Sequence, residues 1–157
     1  MSPTATPTPI DPRGPRFGAA ITSVVLAVTL LLGPGTPALV LLVLQTAVFA
    51  LGSLVGLSAQ PYGVVYRRLV RPRLSKPTEL EDPRPPRFAQ TVGLIFAVAG
   101  IVGLVWAPVL FYVAVGFALV AALLNAVFDF CLGCEVYLLG RRVAGRPLVT
   151  AGSEARV

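Results

Sequence analysis

Two cysteines near the end of the chain, Cys131 and Cys134, form a CxxC motif in the string NAVFDFCLGCEVY. Residues three apart share a helix face, so the two sulfurs can approach each other, and Gly133 leaves room for the backbone adjustments of a disulfide. A cysteine in an electropositive, partly exposed setting acts as a nucleophile toward a disulfide or a sulfane sulfur. The motif therefore favours catalytic thiol-redox or sulfur-relay chemistry, with metal binding and a purely structural role as alternatives.

Three polar residues close to the pair are candidate supporting groups, namely Asn125, Asp129 and Glu135. Ionised Asp129 and Glu135 would raise the pKa of a nearby thiol, whereas Arg141 and Arg142 would lower it. Asn125 and Asp129 lie four residues apart on one helix face. An acid near a membrane indicates a function or a specific partner, with a structural role as the alternative, in which Asp129 reaches interfacial water or bonds Asn125 or an arginine of the middle loop. The sequence leaves the sign of the net effect on the thiols open.

The residue inventory narrows the chemistry further. The chain has no histidine, which removes the commonest general base and metal ligand. A structural zinc site needs four ligands, so no cofactor is predicted; zinc would require the cysteines of a homodimer to meet across a two-fold axis. The net charge of +6 does not indicate nucleic-acid binding, because the basic residues flank apolar segments where anionic lipid accounts for them.

The elements that must position the cysteines are predicted to be membrane helices. The chain of 157 residues is 55% hydrophobic and 13% charged, with a mean hydropathy of +0.81, unlike a soluble domain. Apolar runs long enough to cross a bilayer occupy residues 17–32, 38–59, 88–107 and 109–130. The predicted fold class is therefore all-α, an integral membrane four-helix bundle that interacts with the lipid bilayer over most of its length.

The remaining segments are polar and proline-rich. Residues 1–15 are predicted to form a flexible tail, 62–87 a basic loop with a short interfacial helix at 62–70, and 143–157 a second flexible tail, which leaves 16–142 as the transmembrane domain. All 13 Lys and Arg residues lie in these segments or at their borders, and none lies in the turns around Gly33 and Ala107. The positive-inside rule therefore places both termini and the basic loop in the cytoplasm. In that reducing compartment the cysteines are expected to rest as a dithiol.

A repeated motif precedes each predicted hairpin. The first copy reads DPRGPRF at residues 11–17 and the second reads DPRPPRF at residues 82–88, identical at six of seven positions. Two copies of a two-span unit must run parallel, related by a pseudo-two-fold axis along the membrane normal. The motif arginines are predicted to anchor the chain at the level of the lipid phosphates or to dock a cytoplasmic partner; they are Arg13, Arg16, Arg84 and Arg87.

Two other functional classes compete with thiol chemistry. A small transporter or channel subunit could line a polar path with Gln45, Thr46, Asn125 and Asp129, since polar groups inside a membrane are costly and rarely incidental. A membrane scaffold could hold a soluble redox or sulfurtransferase partner through its basic loop. Whether the protein is an enzyme is left open by the sequence.

The motifs together resemble an uncharacterised bacterial, actinobacterial-type family of small four-span membrane proteins, known as a domain of unknown function. The resemblance covers residues 11–142 and rests on the two DPRxxRF copies, on QPYGVVYRRLVRPRL in the middle loop and on FDFCLGCEVY, in which CLGC is the most specific part. The architecture is also similar to that of DoxX-like four-helix proteins. The resemblance implies a bacterial inner (plasma) membrane and a thioredoxin-like or rhodanese-like cytoplasmic partner.

Overall fold

The computed structural model describes residues 7–145, which form six helices. Four of them are long and apolar enough to cross a membrane; they are Arg13–Leu32 (α1), Thr36–Val55 (α2), Arg84–Trp106 (α4) and Pro108–Phe128 (α5). A short helix α3 starts as Pro61–Val65, continues through a π-helical turn, Tyr66–Val70, and ends in a 3-10 turn, Arg71–Arg73. Helix α6 spans Leu132–Val143. The predicted all-α fold, with four helices long and apolar enough to span a membrane, is confirmed.

Proline and glycine determine where the long helices begin and end. Gly33, with a φ of 68°, ends α1 in a backbone conformation that residues with a Cβ rarely adopt. Pro37 and Pro108 stand in the first turns of α2 and α5, where a missing N–H costs nothing because those groups have no partner within the helix. The turns between α1 and α2 and between α4 and α5 are consequently short.

The four long helices form a closed ring. The packed neighbours are α1 with α2, α2 with α4, α4 with α5 and α5 with α1, while α3 packs on α1 and α6 packs on α4. The core between them contains Leu26, Leu42, Phe111 and Val115, all completely buried. Gly103 allows the closest approach, because a Cβ there would lie 2.2 Å from the backbone nitrogen of Phe111 on α5.

The outer surface of the ring is apolar. Leu31 is 87% exposed, Trp106 77% and Val109 75%, and mean hydropathy over the four long helices ranges from 1.8 to 2.4. A contiguous apolar surface of this kind is unfavourable in water and favourable in a bilayer. These helices therefore have the length and composition of a multi-pass membrane protein.

Helices α1 and α4 begin earlier than the predicted spans, which start at residues 17 and 88. Each DPRxxRF motif contains the start of a helix and does not end before it, since α1 begins at Arg13 and α4 at Arg84. The reason is that Asp11 and Asp82 each accept the backbone N–H of the arginine two residues later, which starts the helix. Within the predicted N-terminal tail, Ile10 pairs with the backbone of Glu81 and residues 13–15 belong to α1. The remainder of the two predicted tails at 1–6 and 146–157 lies outside the described residues.

Candidate functional site

The cysteine pair lies at the start of a helix of its own and not on the fourth span as the sequence predicts. Helix α5 ends at Phe128, and Asp129 adopts the left-handed conformation, with φ 57° and ψ 28°. Aspartate tolerates that conformation better than most residues, so the chain can leave the helix axis here. Cys131 then becomes the N-cap of α6, and its Sγ accepts the backbone N–H of Cys134 at 3.3 Å.

The two cysteines are joined in a disulfide in this structure, with their Cα atoms 5.2 Å apart. This differs from the dithiol expected in a reducing compartment. The predicted approach of the two sulfurs is therefore present, although Cys131 is the N-cap of α6 and only Cys134 lies within that helix. Among residues 7–145 no group of three or more His, Cys, Asp or Glu side chains is placed to hold a metal ion.

A cavity of about 280 Å³ lies beside the disulfide, and we call it the cysteine cavity. All five residues singled out around the CxxC motif line it; they are Asn125, Asp129, Cys131, Cys134 and Glu135. The other walls come from the two DPRxxRF segments and the residue before the second, together with Leu138. The sequence does not predict that the repeated motifs border the cysteines. The only signal for a role of these segments is that the two DPRxxRF copies are nearly identical.

Helix α6 is held firmly against the first turn and a half of α4. Gly133 lies so close to that helix that a Cβ would stand 2.6 Å from the Cβ of Ala89. One turn further along α6, Tyr137 packs on the ring of Phe88, with the ring centres 5.6 Å apart. Gly133 therefore allows α6 to pack closely on α4. From the sequence, this glycine is expected only to leave room for a disulfide.

Arg16 links the first motif to the cysteine cavity. Its guanidinium donates hydrogen bonds to the carbonyl oxygens of Ala126, at 3.0 Å, and Val127, at 3.3 Å, and lies 3.9 Å from the carboxylate of Asp129. These carbonyls belong to the last turn of α5, where cations are favourable because the carbonyls have no partner in the helix. A residue predicted to anchor the chain in lipid therefore caps a distant helix.

The other motif arginines have protein partners as well. Arg87 donates to the carbonyl oxygens of Ser53 and Leu54 at the end of α2, each at 2.7 Å. Arg13 forms two hydrogen bonds with the carboxylate of Asp11, and Arg84 lies 3.9 Å from Asp82. All four arginines lie at the end of the bundle that carries the charged loop, as an anchoring role also requires.

The charges around the cysteines differ from those expected. Arg141 and Arg142 occupy the last turn of α6 and so lie roughly 12 Å from its first turn, at 1.5 Å per residue. The cations beside the cavity are instead Arg16, next to the carboxylate of Asp129, and Arg84, next to that of Asp82. On the cavity wall, burial raises the pKa of Glu81, and the charges of Asp129 and Glu79 raise it further. Glu81 can therefore carry a proton more readily than an isolated glutamate.

Gln45 and Thr46, considered for a polar path, have partners inside the protein. Gln45 is buried, donates to the hydroxyl of Thr22 at 3.3 Å and accepts from the hydroxyl of Tyr62 at 2.9 Å. Thr46 donates to the carbonyl of Leu42 in its own helix. The structure does not bring either residue to the cysteine cavity.

The apolar four-helix ring and the cysteine pair at its charged end define a small, multi-pass α-helical membrane protein. The chain belongs to the family described as Domain of unknown function (DUF4395), whose profile matches residues 10–142. That range includes both DPRxxRF motifs and both cysteines, and it confirms the resemblance to a family of unknown function. No curated protein and no solved structure matches the chain.

Proposed function

We propose that the protein is a membrane component of thiol–disulfide exchange or sulfur relay in which Cys131 and Cys134 are the reacting groups. The observation that carries the proposal is a disulfide-bonded CxxC pair at the N-terminus of α6, beside a cavity at the charged end of the bundle. A disulfide between residues three apart closes a very short loop, so its contribution to stability through the unfolded chain is small. A reactive role therefore explains the presence of the two cysteines better than stabilisation of the fold does.

Cys131 is the attacking residue in this proposal. The first N–H groups of a helix have no partner within it, and together with the helix dipole they stabilise a thiolate at the N-cap position. The hydrogen bond from the Cys134 N–H to the Cys131 sulfur has that geometry. The ion pair of Arg16 with Asp129 reduces the negative charge that would otherwise raise the thiol pKa.

The exchange reaction balances with a disulfide substrate as the oxidant. The Cys131 thiolate attacks one sulfur of the substrate, a mixed disulfide forms, and the substrate's other sulfur leaves as a thiolate that takes up a proton. Cys134 then loses its proton and attacks the Cys131 sulfur, which forms the Cys131–Cys134 disulfide and releases the second substrate thiol. Glu81 on the cavity wall, whose pKa is raised by burial, can exchange these protons with water.

Sulfur relay uses the same attacking group. The Cys131 thiolate takes the outer sulfur of a donor persulfide, the sulfur–sulfur bond of the donor breaks, and the donor leaves as a thiolate. Cys131 then carries the persulfide to an acceptor. This route does not require Cys134, which gives a way to separate it from disulfide exchange.

The proposal includes the arrangement of the chain in a bacterial plasma membrane. The charged end of the bundle, with the cysteine cavity, would face the cytoplasm under the positive-inside rule and meet a thioredoxin-like or rhodanese-like partner there. A duplicated hairpin is supported by matching positions, because α1 and α4 begin 71 residues apart and so do α3 and α6. Phe17 packs on Tyr66 at 5.8 Å, as Phe88 packs on Tyr137 in the second half.

Thiol trapping in membranes tests the proposal. Serine variants suit this test because serine at position 131 keeps an N-cap acceptor for the Cys134 N–H. The parent should move between dithiol and disulfide when cells are treated with diamide and then with a reductant. Cys134→Ser should accumulate a mixed disulfide or a persulfide on Cys131, whereas Cys131→Ser should accumulate neither.

The outcomes distinguish disulfide exchange, sulfur relay and the absence of thiol chemistry. A mixed disulfide with another protein supports exchange, and a persulfide detected by mass spectrometry supports relay. A pair that never changes its oxidation state, together with a double serine variant that behaves like the parent in cells under disulfide stress, would overturn the proposal.

A further inference from the structure

A second and larger cavity opens at the same end of the bundle, between the starts of α1 and α4, the end of α2, and α3. Its volume is about 790 Å³, within the range of small-molecule sites. We call it the basic cavity because four arginines, Arg67, Arg71, Arg84 and Arg87, line it against a single carboxylate, Asp11.

The basic cavity occupies the position in the first half that the cysteine cavity occupies in the second. Gln60 and Gly63 line it, and they stand 71 positions before Cys131 and Cys134. Because neither residue is a thiol, the basic cavity does not share the chemistry of the cysteine cavity. The charge of the two linings also differs in sign, since the basic cavity is lined mainly by arginines and the cysteine cavity by the carboxylates of Asp82, Asp129 and Glu135.

The positive charge of the basic cavity is not neutralised within the protein. Asp11 is already occupied, because its carboxylate accepts two hydrogen bonds from the Arg13 side chain and one from the Tyr66 hydroxyl. In the part of the chain that the structure describes, Arg67, Arg71 and Arg87 have no carboxylate within 4.0 Å. An arginine does not lose its proton under physiological conditions, so these charges persist.

Two of the guanidinium groups are held in place by neutral acceptors. Arg87 is fixed by the carbonyls of Ser53 and Leu54, and Arg67 donates to the carbonyl of Ser58 at 2.6 Å. Each guanidinium has five N–H donors, so both keep donors for a ligand. Fixing a side chain before binding reduces the entropy lost when an anion arrives.

We propose that the basic cavity binds a phosphate ester. Arginine donors match the geometry of phosphate oxygens, and bidentate contacts of this kind are stronger than neutral hydrogen bonds. The cavity lies at the bundle end that carries the loop charges, where a membrane helix meets the headgroup layer. The phosphate can therefore belong to an anionic lipid headgroup or to a soluble phosphate ester. The proposal does not depend on the chemistry of the cysteines.

The test uses the full chain in phosphatidylcholine nanodiscs at constant ionic strength. One arm adds phosphatidylglycerol to the bilayer, and the other adds glycerol 3-phosphate to the solution, with the unfolding midpoint as the readout. The variant is R67Q/R71Q. Its matched control is R68Q/R73Q, which removes the same charge from the same segment at positions that do not line the cavity.

The parent and the control should show a saturable rise in midpoint in at least one arm, and R67Q/R71Q should need at least tenfold more probe. A rise with phosphatidylglycerol alone assigns the phosphate to a lipid, and a rise with glycerol 3-phosphate alone assigns it to a soluble ester. No rise in either arm, or equal loss in both double variants, overturns the proposal. If R67Q/R71Q does not fold, R71Q alone, at an exposed side chain, should need about threefold more probe.

Discussion

Ile10 and Glu81 pair through two backbone hydrogen bonds, each 2.9 Å long, in an antiparallel bridge. Each residue stands directly before a DPRxxRF motif, so the bridge brings the starts of α1 and α4 side by side. These helices occupy opposite corners of the four-helix ring. The pairing therefore joins the two halves of the chain between the basic cavity, which Ile10 lines, and the cysteine cavity, which Glu81 lines.

Replacing Asp11 with asparagine should destabilise the protein by about 1–3 kcal/mol, the usual cost of leaving charge-assisted hydrogen bonds unmade at a partly buried site. The Asp11 side chain is only 6% exposed and accepts bonds from Arg13 and Tyr66. Asp82→Asn is the control, because Asp82 is 27% exposed and its contact with Arg84 is 3.9 Å. Unfolding in mixed micelles measures both. Equal losses would show that the Asp11 cluster is no stronger than its counterpart.

The same cluster should make stability depend on acidity. Burial opposes ionisation of Asp11, but hydrogen bonds from Arg13 and Tyr66 outweigh it and hold the pKa of that carboxyl below its ordinary value of 3.8. Its contribution is therefore present above pH 3.8 and is lost as the pH falls through the lower folded-state pKa. The free energy of unfolding of the parent should therefore fall more steeply than that of Asp11→Asn as the pH is lowered below about 4. Parallel curves would contradict this assignment.

Gly133→Ala should loosen α6. The new Cβ would meet Ala89 at 2.6 Å, so the helix must move away from α4 at a cost of about 1–3 kcal/mol. Gly140→Ala is the control, because nothing lies within 4 Å of its Cβ position and alanine favours the helix. Unfolding midpoints and the rate of cysteine alkylation after reduction should both separate the two variants. Equal behaviour would show that α6 does not depend on the contact with α4.

Arg16→Gln should slow the reaction of reduced Cys131 with iodoacetamide by about two- to fourfold at neutral pH. The loss of a partly exposed cation next to Asp129 leaves an uncompensated carboxylate near the thiol, an effect of less than about 1 kcal/mol. Arg87→Gln removes the equivalent cap from α2 and does not touch the cysteine cavity. Rates in Cys134→Ser backgrounds compare the two, and an equal decrease would point to a general loss of structure.

Much of the architecture is predictable because it depends on local composition. Apolar runs between basic segments identify the four long helices, and Gly33 and Pro37 mark the first reversal. The short helix expected at residues 62–70 is present as α3. The boundaries are less accurate, since hydropathy does not register that an aspartate can start a helix within a charged motif.

The candidate site is predictable in its residues and not in its geometry. CxxC spacing identifies Cys131 and Cys134, and the same reasoning places them on the fourth span. The break at Asp129 is invisible to an apolar pattern, because one residue in the left-handed conformation redirects the chain without changing its hydropathy.

The sequence alone therefore determines the helices, the charge asymmetry, the repeated motif and the cysteine pair, since each follows from residue type and spacing. Only the tertiary structure decides what the motif arginines contact. Arg16 reaches carbonyls 110 and 111 positions away, and Arg87 reaches carbonyls 34 and 33 positions before it. Such partners depend on which helix ends meet when the ring closes, and that is set by the packing of whole helix faces rather than by any local pattern.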